Sequence, residues 1–391
     1  MFNGQYIFSQ IMDFLPRSEF DKIVKKYQGD KGVRNFDCRD QLLAMVFGQL
    51  ANLNSLRSIV LCLNAHQNLL YHLGFKVKDF TLSTLSRANE NRDCNIFNDL
   101  AYVLIAKARQ LYLNDNDFKI KLKGAAYALD STVIDLCLNT FKWARFRTTK
   151  SAVKVHTQLD LRGNIPSFFL ITEAKTHDVN FLDNLEFEAG AFYIMDRGYF
   201  DFKRLFKVDS QKAFFVVRGK DNMVFERLYS RKVNKGHGVR CDQIIKPSNY
   251  YSQKYYPEKL RRIKFYDQTT NQYYIWITNN FNLKAEVIAD LYKHRWQIEL
   301  FFKWMKQHLH IEVFWGHSRN AVKTQICIGL ITFLLVAIMK KRLNIGRDLY
   351  EILQILTVSI FEKTPIYTML NQYSLPEISD PFGKQLDLFD I

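Results

Sequence analysis

Cysteine and proline are scarce in this sequence, and the cysteines follow no ligand pattern. The 391 residues include six cysteines and seven prolines. No two cysteines form a CxxC pair, and no His/Cys group has the spacing of a zinc site. These absences argue against a zinc module and against a redox motif. We expect the cysteines to be reduced, mostly structural thiols of a cytosolic protein.

Long apolar segments are also absent. Residues 1–16 lack the charged start and the apolar stretch of a secretory signal. The most apolar run, residues 326–339, is shorter than the about 20 residues that span a bilayer, and it contains Gly329 and Thr332. This run predicts a buried core helix. We therefore expect a cytoplasmic protein without a membrane partner.

Acidic residues are outnumbered by basic ones. The chain has 39 Asp and Glu residues against 55 Lys and Arg residues, which gives a net charge of +16 and a pI near 9.4. Such an excess attracts polyanions, because cations that neutralise phosphates release condensed counterions. Nucleic acid is the favoured partner. A membrane surface is the alternative, but no isolated basic amphipathic helix is present.

The first 120 residues are predicted to form a helical domain that binds DNA. Apolar residues recur at helical spacing in residues 42–50 and again in residues 56–63. Residues 81–87 resemble the turn and the start of a recognition helix. The polar side chains suited to phosphates or base edges are Arg87, Asn89 and Arg92. An ordinary helical bundle is the alternative.

The middle of the chain predicts an α/β domain. Strand-like runs at residues 125–130, 153–161 and 167–174 come first, and Arg162-Gly163-Asn164 supplies a hairpin turn between the second and the third. The following segments are predicted as a helix at 179–187, a strand at 191–195, a helix at 202–206 and a strand at 213–218. Three meandering strands followed by helix–strand alternation is the order of a ribonuclease H-like domain.

The chain is predicted to have four parts. Residues 1–120 form the helical domain, and residues 220–283, rich in Tyr, Lys and Arg with short strand-like pieces, form an inserted β subdomain. Residues 121–219 and 284–365 form the catalytic domain with its C-terminal helices. Residues 366–391 are predicted to be a flexible tail.

Two aspartates stand where α/β domains place their chemistry. Asp130 and Asp196 each close a hydrophobic strand-like run. A carboxylate at the end of a buried strand lies at the sheet edge, in the crevice where active sites form. Taken singly, each aspartate is better explained as an ordinary strand-end or turn residue.

A third carboxylate, Glu299, lies on a helix with a cationic face. At about 100° per residue, Tyr292, Arg295, Lys303 and Lys306 fall within roughly 40° of Glu299. A neighbouring apolar stripe can pack on the sheet. A solvated face of salt bridges is the alternative, but the many aromatic residues nearby favour a metal-binding carboxylate with basic groups that hold a nucleic-acid strand.

The spacing Tyr292-x2-Arg295-x3-Glu299-x6-Lys306 resembles the signature of the fourth insertion-sequence family of bacterial DDE transposases. The surrounding string YKHRWQIELFFKWMKQ is similar to that family almost throughout. Asp130 in ALDSTVIDL resembles the first catalytic aspartate of the family, and Asp196 in IMDRGYFD the second. The long gap before Glu299 agrees with the β insertion of that family. The resemblance spans roughly residues 120–345.

The resemblance implies metal-dependent DNA cleavage and strand transfer at terminal inverted repeats, on a ribonuclease H-like fold. Asp130, Asp196 and Glu299 would hold two Mg²⁺ (or Mn²⁺) ions, which activate the attacking oxygen and stabilise the leaving oxygen. It also implies a synaptic dimer on double-stranded DNA, in the bacterial nucleoid. The alternatives are a nuclease of the same fold without strand transfer and a catalytically silent DNA-binding derivative.

Further residues are predicted to contact DNA. On the Glu299 helix these are Tyr292, Arg295, Lys303 and Lys306, with Arg295 suited to bidentate phosphate contacts. Elsewhere, Lys154, His156 and Arg218 belong to strand motifs that resemble those of the family. Some relatives stack a flipped base on an aromatic residue of the insertion, near Tyr274, with Trp276 as the alternative. Core packing is the competing role for these two aromatic residues.

The C-terminus contains a short motif. Gln385-Leu386-Asp387-Leu388-Phe389 resembles the pentapeptide that binds the bacterial sliding clamp. In an extended tail, Leu388 and Phe389 would enter an apolar groove of the clamp, with Gln385 and Leu386 beside them. The motif predicts a sliding clamp as a further partner.

Overall fold

The N-terminal third consists of helices, as the sequence predicts. The computed structural model describes residues 4–113, 118, 120–147, 150–220, 223–233, 236, 238–308 and 313–371. The helices of its first part are α1 (Ile7–Met12), α2 (Arg17–Lys26), α3 (Cys38–Leu50), α4 (Leu56–Ala65), α5 (Leu82–Asn91) and α6 (Asn95–Tyr112). A capping box between Asp37 and Asp40 begins α3, and nearly every residue of α3 is buried. Helix α3 is therefore central to this bundle.

Two of the three polar residues predicted to face DNA bind other parts of the helical bundle instead. Asn89 is 2% exposed and accepts a hydrogen bond from Gln41 on α3. Arg92 donates to the main-chain carbonyl of Asp37 at 2.8 Å and to the side chain of Gln41 at 3.0 Å. The prediction is wrong for Asn89 and Arg92, because α3 covers this side of α5. Arg87 is exposed.

The described strands form one ten-stranded sheet. Its first strands are β1 (Ala126–Leu136), β2 (Arg145–Arg147), β3 (Lys150–Asp160), β4 (Ile165–Glu173), β5 (Phe192–Met195) and β6 (Phe214–Arg218). Strands β1, β3 and β4 form an antiparallel meander, and β5 and β6 continue parallel to β1. This is the predicted ribonuclease H-like order. The predicted hairpin is confirmed, and Asn164 in its turn has a φ of 53°.

The segment between β6 and the C-terminal helices extends the same sheet. It contains β7 (Phe225–Ser230), β8 (Val239–Pro247), α8 (Tyr250–Tyr255), β9 (Leu260–Asp267) and β10 (Gln272–Thr278). Strand β10 pairs antiparallel with β6, with Trp276 opposite Arg218. The last strand of the insertion therefore lies beside β6, on the same sheet as β1 and β5. Inside the insertion, the buried Arg261 binds Asp242 at 2.7 Å.

Two helical predictions need correction. The helix predicted at 179–187 is a 3₁₀ turn, Asp178–Asn184, which follows β4, and α7 (Phe202–Ser210) connects β5 to β6. The helix around Glu299 is not continuous: α9 (Ala285–Lys293) ends before α10 (Trp296–His308) begins. Arg295 and Gln297 donate main-chain hydrogen bonds to residues three positions earlier. This local tightening interrupts the α-helical pattern without any proline or glycine.

The C-terminal helices close the core. They are α11 (Arg319–Arg342), α12 (Leu349–Ser359) and α13 (Ile366–Asn371). By length and composition α11 could cross a membrane, but 94% of its apolar window is buried inside the protein. Helix α11 packs against α6 and α3 and so joins the N-terminal bundle to the catalytic domain. The predicted core helix at 326–339 is thereby confirmed.

Candidate active site

Asp130 lies in the middle of a strand and does not end it. Strand β1 continues to Leu136 along β3, whereas its parallel pairing with β5 stops at Leu129, opposite Met195. The sequence prediction that Asp130 closes its strand is therefore wrong. Asp130 stands where β1 loses its parallel neighbour, so its carboxylate still lies at the carboxyl edge of the parallel strands.

Asp196 follows the last residue of β5 and precedes a 3₁₀ turn, Arg197–Tyr199. Because β1 and β5 are parallel and adjacent, Asp130 and Asp196 emerge at the same edge of the sheet. The hydroxyl of Tyr292, near the end of α9, donates a hydrogen bond of 3.2 Å to Oδ1 of Asp196. Tyr292 is 9% exposed and packs against the ring of Trp276 on β10. The insertion thus helps to place this tyrosine.

Arg295 joins the other two carboxylates. Its Nη1 donates to Oδ2 of Asp130 at 3.1 Å, and its Nη2 donates to Oε1 of Glu299 at 2.5 Å. Arg295 occupies the break between α9 and α10, from which its side chain reaches both the sheet edge and the first turn of α10. The side chains of Asp130 and Glu299 are 23% and 32% exposed. The three predicted acidic residues are thus linked through Arg295 and Tyr292 at a partly open edge, since the guanidinium of Arg295 lies 5.7 Å from the ring centre of Tyr292.

The electrostatics of Asp130 reflect this crowding. Burial raises the pKa of Asp130 from 3.8 to about 6, whereas the main-chain N–H of Ser131 and the charge of Arg295 lower it. The negative charges of Glu299 and Asp196 raise the pKa further. The positive charge near Asp130 therefore does not compensate for the burial of its carboxylate. A bound cation would stabilise the charged form of Asp130.

The donor set fits a hard divalent cation. Carboxylate oxygens are the preferred ligands of Mg²⁺ and related ions, and Asp130, Asp196 and Glu299 supply three such groups. Within the described ranges, no three His, Cys, Asp or Glu side chains lie close enough to share one ion in this arrangement. The guanidinium of Arg295 stands between Asp130 and Glu299. We conclude that these residues fit a metal by chemistry and charge, and that Arg295 supplies the balancing charge here.

Lys154 and His156 are not on a surface that DNA can reach. His156 is 0% exposed, and burial lowers its pKa to about 4. Lys154 is 8% exposed, and its ammonium binds Asp178 at 3.0 Å and the carbonyl of Thr176 at 2.9 Å. The prediction that these two side chains contact DNA is wrong in this structure. Both point into a polar cluster behind β1, which the strand pattern could not reveal.

The other predicted DNA contacts lie around the carboxylates. Lys303 is exposed on α10, and the ammonium of Lys306 donates to the carbonyl of Val133 on β1 at 3.0 Å. The guanidinium of Arg218 lies 5.3 Å from the ring centre of Tyr274. Tyr274 and Arg218 border a cleft that also includes Tyr292 and Arg295. Arg218 and Tyr274 are thereby brought next to the carboxylate site.

The choice between the two aromatic residues of β10 is now clear. Trp276 is 2% exposed and belongs to the core, whereas Tyr274 is half-buried and lines the cleft. Their rings are nearly parallel, with centres 6.0 Å apart. The ring of Trp276 therefore packs against the ring of Tyr274 on the core side. The ring of Tyr274 lines the cleft beside the carboxylates.

Asp178 is a residue near the site to which the sequence analysis gave no role. Its carboxylate accepts a hydrogen bond of 2.5 Å from the hydroxyl of Ser131, the residue after Asp130. The His177-Asp178 pair is visible in the sequence, but its link to Ser131 spans 47 positions. Only the folded arrangement of the 3₁₀ turn against β1 reveals it.

Comparison with known proteins agrees with this geometry. Residues 122–335 match the family model of the transposase DDE domain, which covers β1, β5, α10 and most of α11. The chain belongs to the DDE transposase family. Residues 3–76 of this transposase also match a domain family of unknown function.

Relatives of this transposase are bacterial. A transposase of Sinorhizobium fredii, y4zB, is 30% identical over 288 residues, which are 72% of this chain and 78% of the relative. A transposase for insertion sequence element IS5377 of Geobacillus stearothermophilus is 26% identical over 68% of this chain and 70% of its own length. A transposase for element IS4SA of Synechocystis is 22% identical over 78% of this chain and 85% of its own length.

Among solved structures, the piggyBac transposase synaptic complex with hairpin DNA is similar with a TM-score of 0.42 and 10% identity, over 95% of this chain and 80% of that one. The family match and the relatives confirm the enzyme predicted from sequence. It is a DNA transposase with a ribonuclease H-like fold that catalyses DNA cleavage and strand transfer. The DDE family depends on divalent metal.

Proposed function

We propose that Asp130, Asp196 and Glu299 are the catalytic residues and hold two Mg²⁺ (or Mn²⁺) ions. The substrate would be the terminal inverted repeats of an insertion sequence. The observation that carries this proposal is the linked group at the sheet edge, in which Arg295 binds Asp130 and Glu299 while Tyr292 binds Asp196. Side chains from β1, the end of β5, α9 and α10 converge there, although up to 165 positions separate bonded partners.

Bound divalent ions would activate the attacking water or 3′-hydroxyl and stabilise the leaving oxygen. Side chains of the protein would hold the DNA strand around these ions. The planar guanidinium of Arg295 is suited to two parallel hydrogen bonds with a phosphate. Lys303 and Lys306, on the same helix as Glu299, add positive charge along the path of the strand. Tyr292 orients the carboxylate of Asp196.

Arg218 and Tyr274 extend this path into the neighbouring cleft. A cation beside an aromatic face suits a nucleotide, since the cation attracts the phosphate and the ring stacks on a base. The packing of Tyr274 over Trp276 holds the phenol ring in a fixed orientation. We propose that Tyr274 stacks on a DNA base near the cleavage site and that Arg218 binds an adjacent phosphate.

The test uses oligonucleotides that carry the terminal repeats, in Mg²⁺. Asp130→Asn and Glu299→Gln should abolish both cleavage and strand transfer. Asp135→Asn is the matched control, because Asp135 lies on the same strand but on the opposite face of the sheet. Asp290→Asn, on the exposed side of α9, controls for charge near the helix break. Cleavage by Glu299→Gln at the wild-type rate would refute the assignment.

The N-terminal helices are proposed to bind the same DNA outside the catalytic site. A cleft between the segment that follows α2 and helix α5 is lined by Lys31, Arg34 and Arg87, which are exposed cations. Loss of terminal-repeat binding in Arg87→Ala, with normal cleavage of saturating DNA, would support this role. Wild-type affinity of that variant would oppose it.

Three further proposals concern partners and place. A synaptic dimer would bring two DNA ends together.

The motif residues Gln385, Leu386, Leu388 and Phe389 lie outside the described residues, and their binding to the sliding clamp remains a prediction. A pull-down with purified clamp should capture the intact chain and lose a variant without residues 385–389; equal capture would reject the motif. A transposase that acts on bacterial DNA works in the cytoplasm, at the nucleoid.

A further inference from the structure

The backbone that carries Asp130 lacks a neighbour on one side. Strand β5 pairs with β1 only as far as Leu129, and after Met195 the chain turns away into the 3₁₀ turn at Arg197–Tyr199. From Asp130 onward, β1 keeps only its pairing with β3, in which Ser131 lies opposite His156. A catalytic carboxylate at such a half-paired position needs other contacts to hold its direction.

Asp178 supplies such a contact from another element. It begins the 3₁₀ turn after β4, and its Oδ1 accepts the hydroxyl of Ser131 at 2.5 Å. The same oxygen lies 3.0 Å from the ammonium of Lys154 on β3. Asp178 therefore ties together β1, β3 and the turn that follows β4, directly behind the backbone of Asp130.

The same carboxylate also approaches the loop of the second aspartate. A β-carbon added at Gly198 would lie 3.9 Å from Oδ2 of Asp178. The neighbouring Tyr199 is 1% exposed, and its pKa is raised by burial and then by the negative charges of Asp130 and Asp178. Asp178 thus stands between the segments that carry Asp130 and Asp196.

We propose that Asp178 is a positioning residue for the metal site and acts through the hydroxyl of Ser131 to fix Asp130. This inference rests on the proposed role of Asp130 as a metal ligand. Side-chain alternation places Ser131 and Asp130 on opposite faces of β1. The hydrogen bond that fixes Ser131 on one face of the strand therefore also fixes the direction of the Asp130 side chain on the other face. Asp178 needs no contact with DNA or metal for this role.

The test measures Mn²⁺ binding to the full-length protein, with free Mn²⁺ counted by electron paramagnetic resonance and without DNA. Partners that orient a metal ligand typically change affinity about tenfold or more when they are removed. Asp178→Ala should therefore raise the Kd for Mn²⁺ about tenfold, and Ser131→Ala should raise it in the same direction. Asp178→Asn should recover much of the affinity, because the amide oxygen still accepts the hydroxyl of Ser131.

The matched control is Asp183→Ala. Asp183 belongs to the same 3₁₀ turn and also binds a cation, Arg204, but its side chain is 54% exposed. Asp183→Ala should leave the Mn²⁺ affinity unchanged. Melting temperatures of all variants separate lost metal affinity from lost folding. If Asp178→Ala does not fold, Ser131→Ala carries the test, because it removes a single hydroxyl.

The outcomes separate this inference from the proposed function. Wild-type Mn²⁺ affinity in both Asp178→Ala and Ser131→Ala, with affinity lost in Asp130→Asn, would overturn the positioning role and leave the metal site intact. Equal loss in Asp183→Ala would also overturn it, because the effect would then belong to the turn as a whole. Unchanged Mn²⁺ binding in Asp130→Asn would overturn the metal assignment, and the positioning role with it.

Discussion

Replacing Asp130 by asparagine should make the folded protein more stable at neutral pH. The pKa of Asp130 rises from 3.8 to about 6 on folding, first of all because of burial. One pH unit corresponds to about 1.4 kcal/mol, so keeping this carboxylate charged costs the folded state about 3 kcal/mol above pH 6. The side chain is 23% exposed, so partial solvation reduces that figure. Asparagine resembles the protonated acid and avoids the cost.

The direction of the pH dependence follows from the same shift. A carboxyl group whose pKa is higher in the folded state binds a proton more tightly there. Its penalty is therefore complete above pH 6 and disappears as the pH falls towards 4. Asp130→Asn should exceed the wild type in free energy of unfolding at pH 8, and the two proteins should converge near pH 4.

The assay is urea denaturation across pH 4–8 in EDTA, since a bound cation would stabilise only the wild type. Asp135→Asn serves as the control, because Asp135 is exposed on the same strand. Equal stability of Asp130→Asn and wild type at pH 8, or parallel pH profiles, would refute the conclusion that the buried charge of Asp130 destabilises the folded state.

Three other substitutions test neighbouring parts of the structure. Arg295→Gln leaves Asp130 and Glu299 without their shared cation, so Mn²⁺ should raise the melting temperature of this variant more than that of the wild type; an equal rise would contradict the balancing role of Arg295. Tyr274→Ala should reduce cleavage of terminal-repeat DNA, whereas Tyr273→Ala, on the outward side of the same strand, should not; gel assays that show equal rates would exclude base stacking. Arg261→Met leaves the buried Asp242 unpaired, so chemical denaturation should show a loss of about 3–5 kcal/mol, and a loss below about 1 kcal/mol would show that the pair contributes little.

The sequence was sufficient for the features that are local. The helical spacing from Tyr292 to Lys306 remains a useful guide although α9 and α10 are separate helices. The reason is that the chain between them is tightened over only one turn. Strand periodicity found β3, β4, β5 and β6 to within three residues, but it missed the last six residues of β1. The position of a residue within a sheet is not local, because Leu129 is the last residue of β1 beside β5 and its partner Met195 lies 66 positions further along the chain. Asp130 therefore looked like a strand end when it is an interior residue of β1.

Burial was the main property that the sequence could not supply. Lys154 and His156 have the chemistry of DNA contacts, but the turn that carries Asp178 covers them from a distance in the chain. Arg92 likewise binds main-chain carbonyl groups of the residues just before α3. In each case the partner is a group 20 or more positions away. Helical phase and strand alternation carry no information about such partners.

The charge balance of the site explains why metal and DNA should depend on each other. The linked group of Asp130, Asp196, Glu299, Arg295 and Tyr292 carries three negative charges against one positive charge, within a chain of net charge +16. The protein as a whole therefore attracts DNA, but this edge of the sheet repels a phosphate. One divalent ion would cancel this negative charge, a second would make the edge positive, and Arg295 would then be free to bind the phosphate. Divalent ions should accordingly tighten DNA binding at this edge, although added salt weakens DNA binding elsewhere.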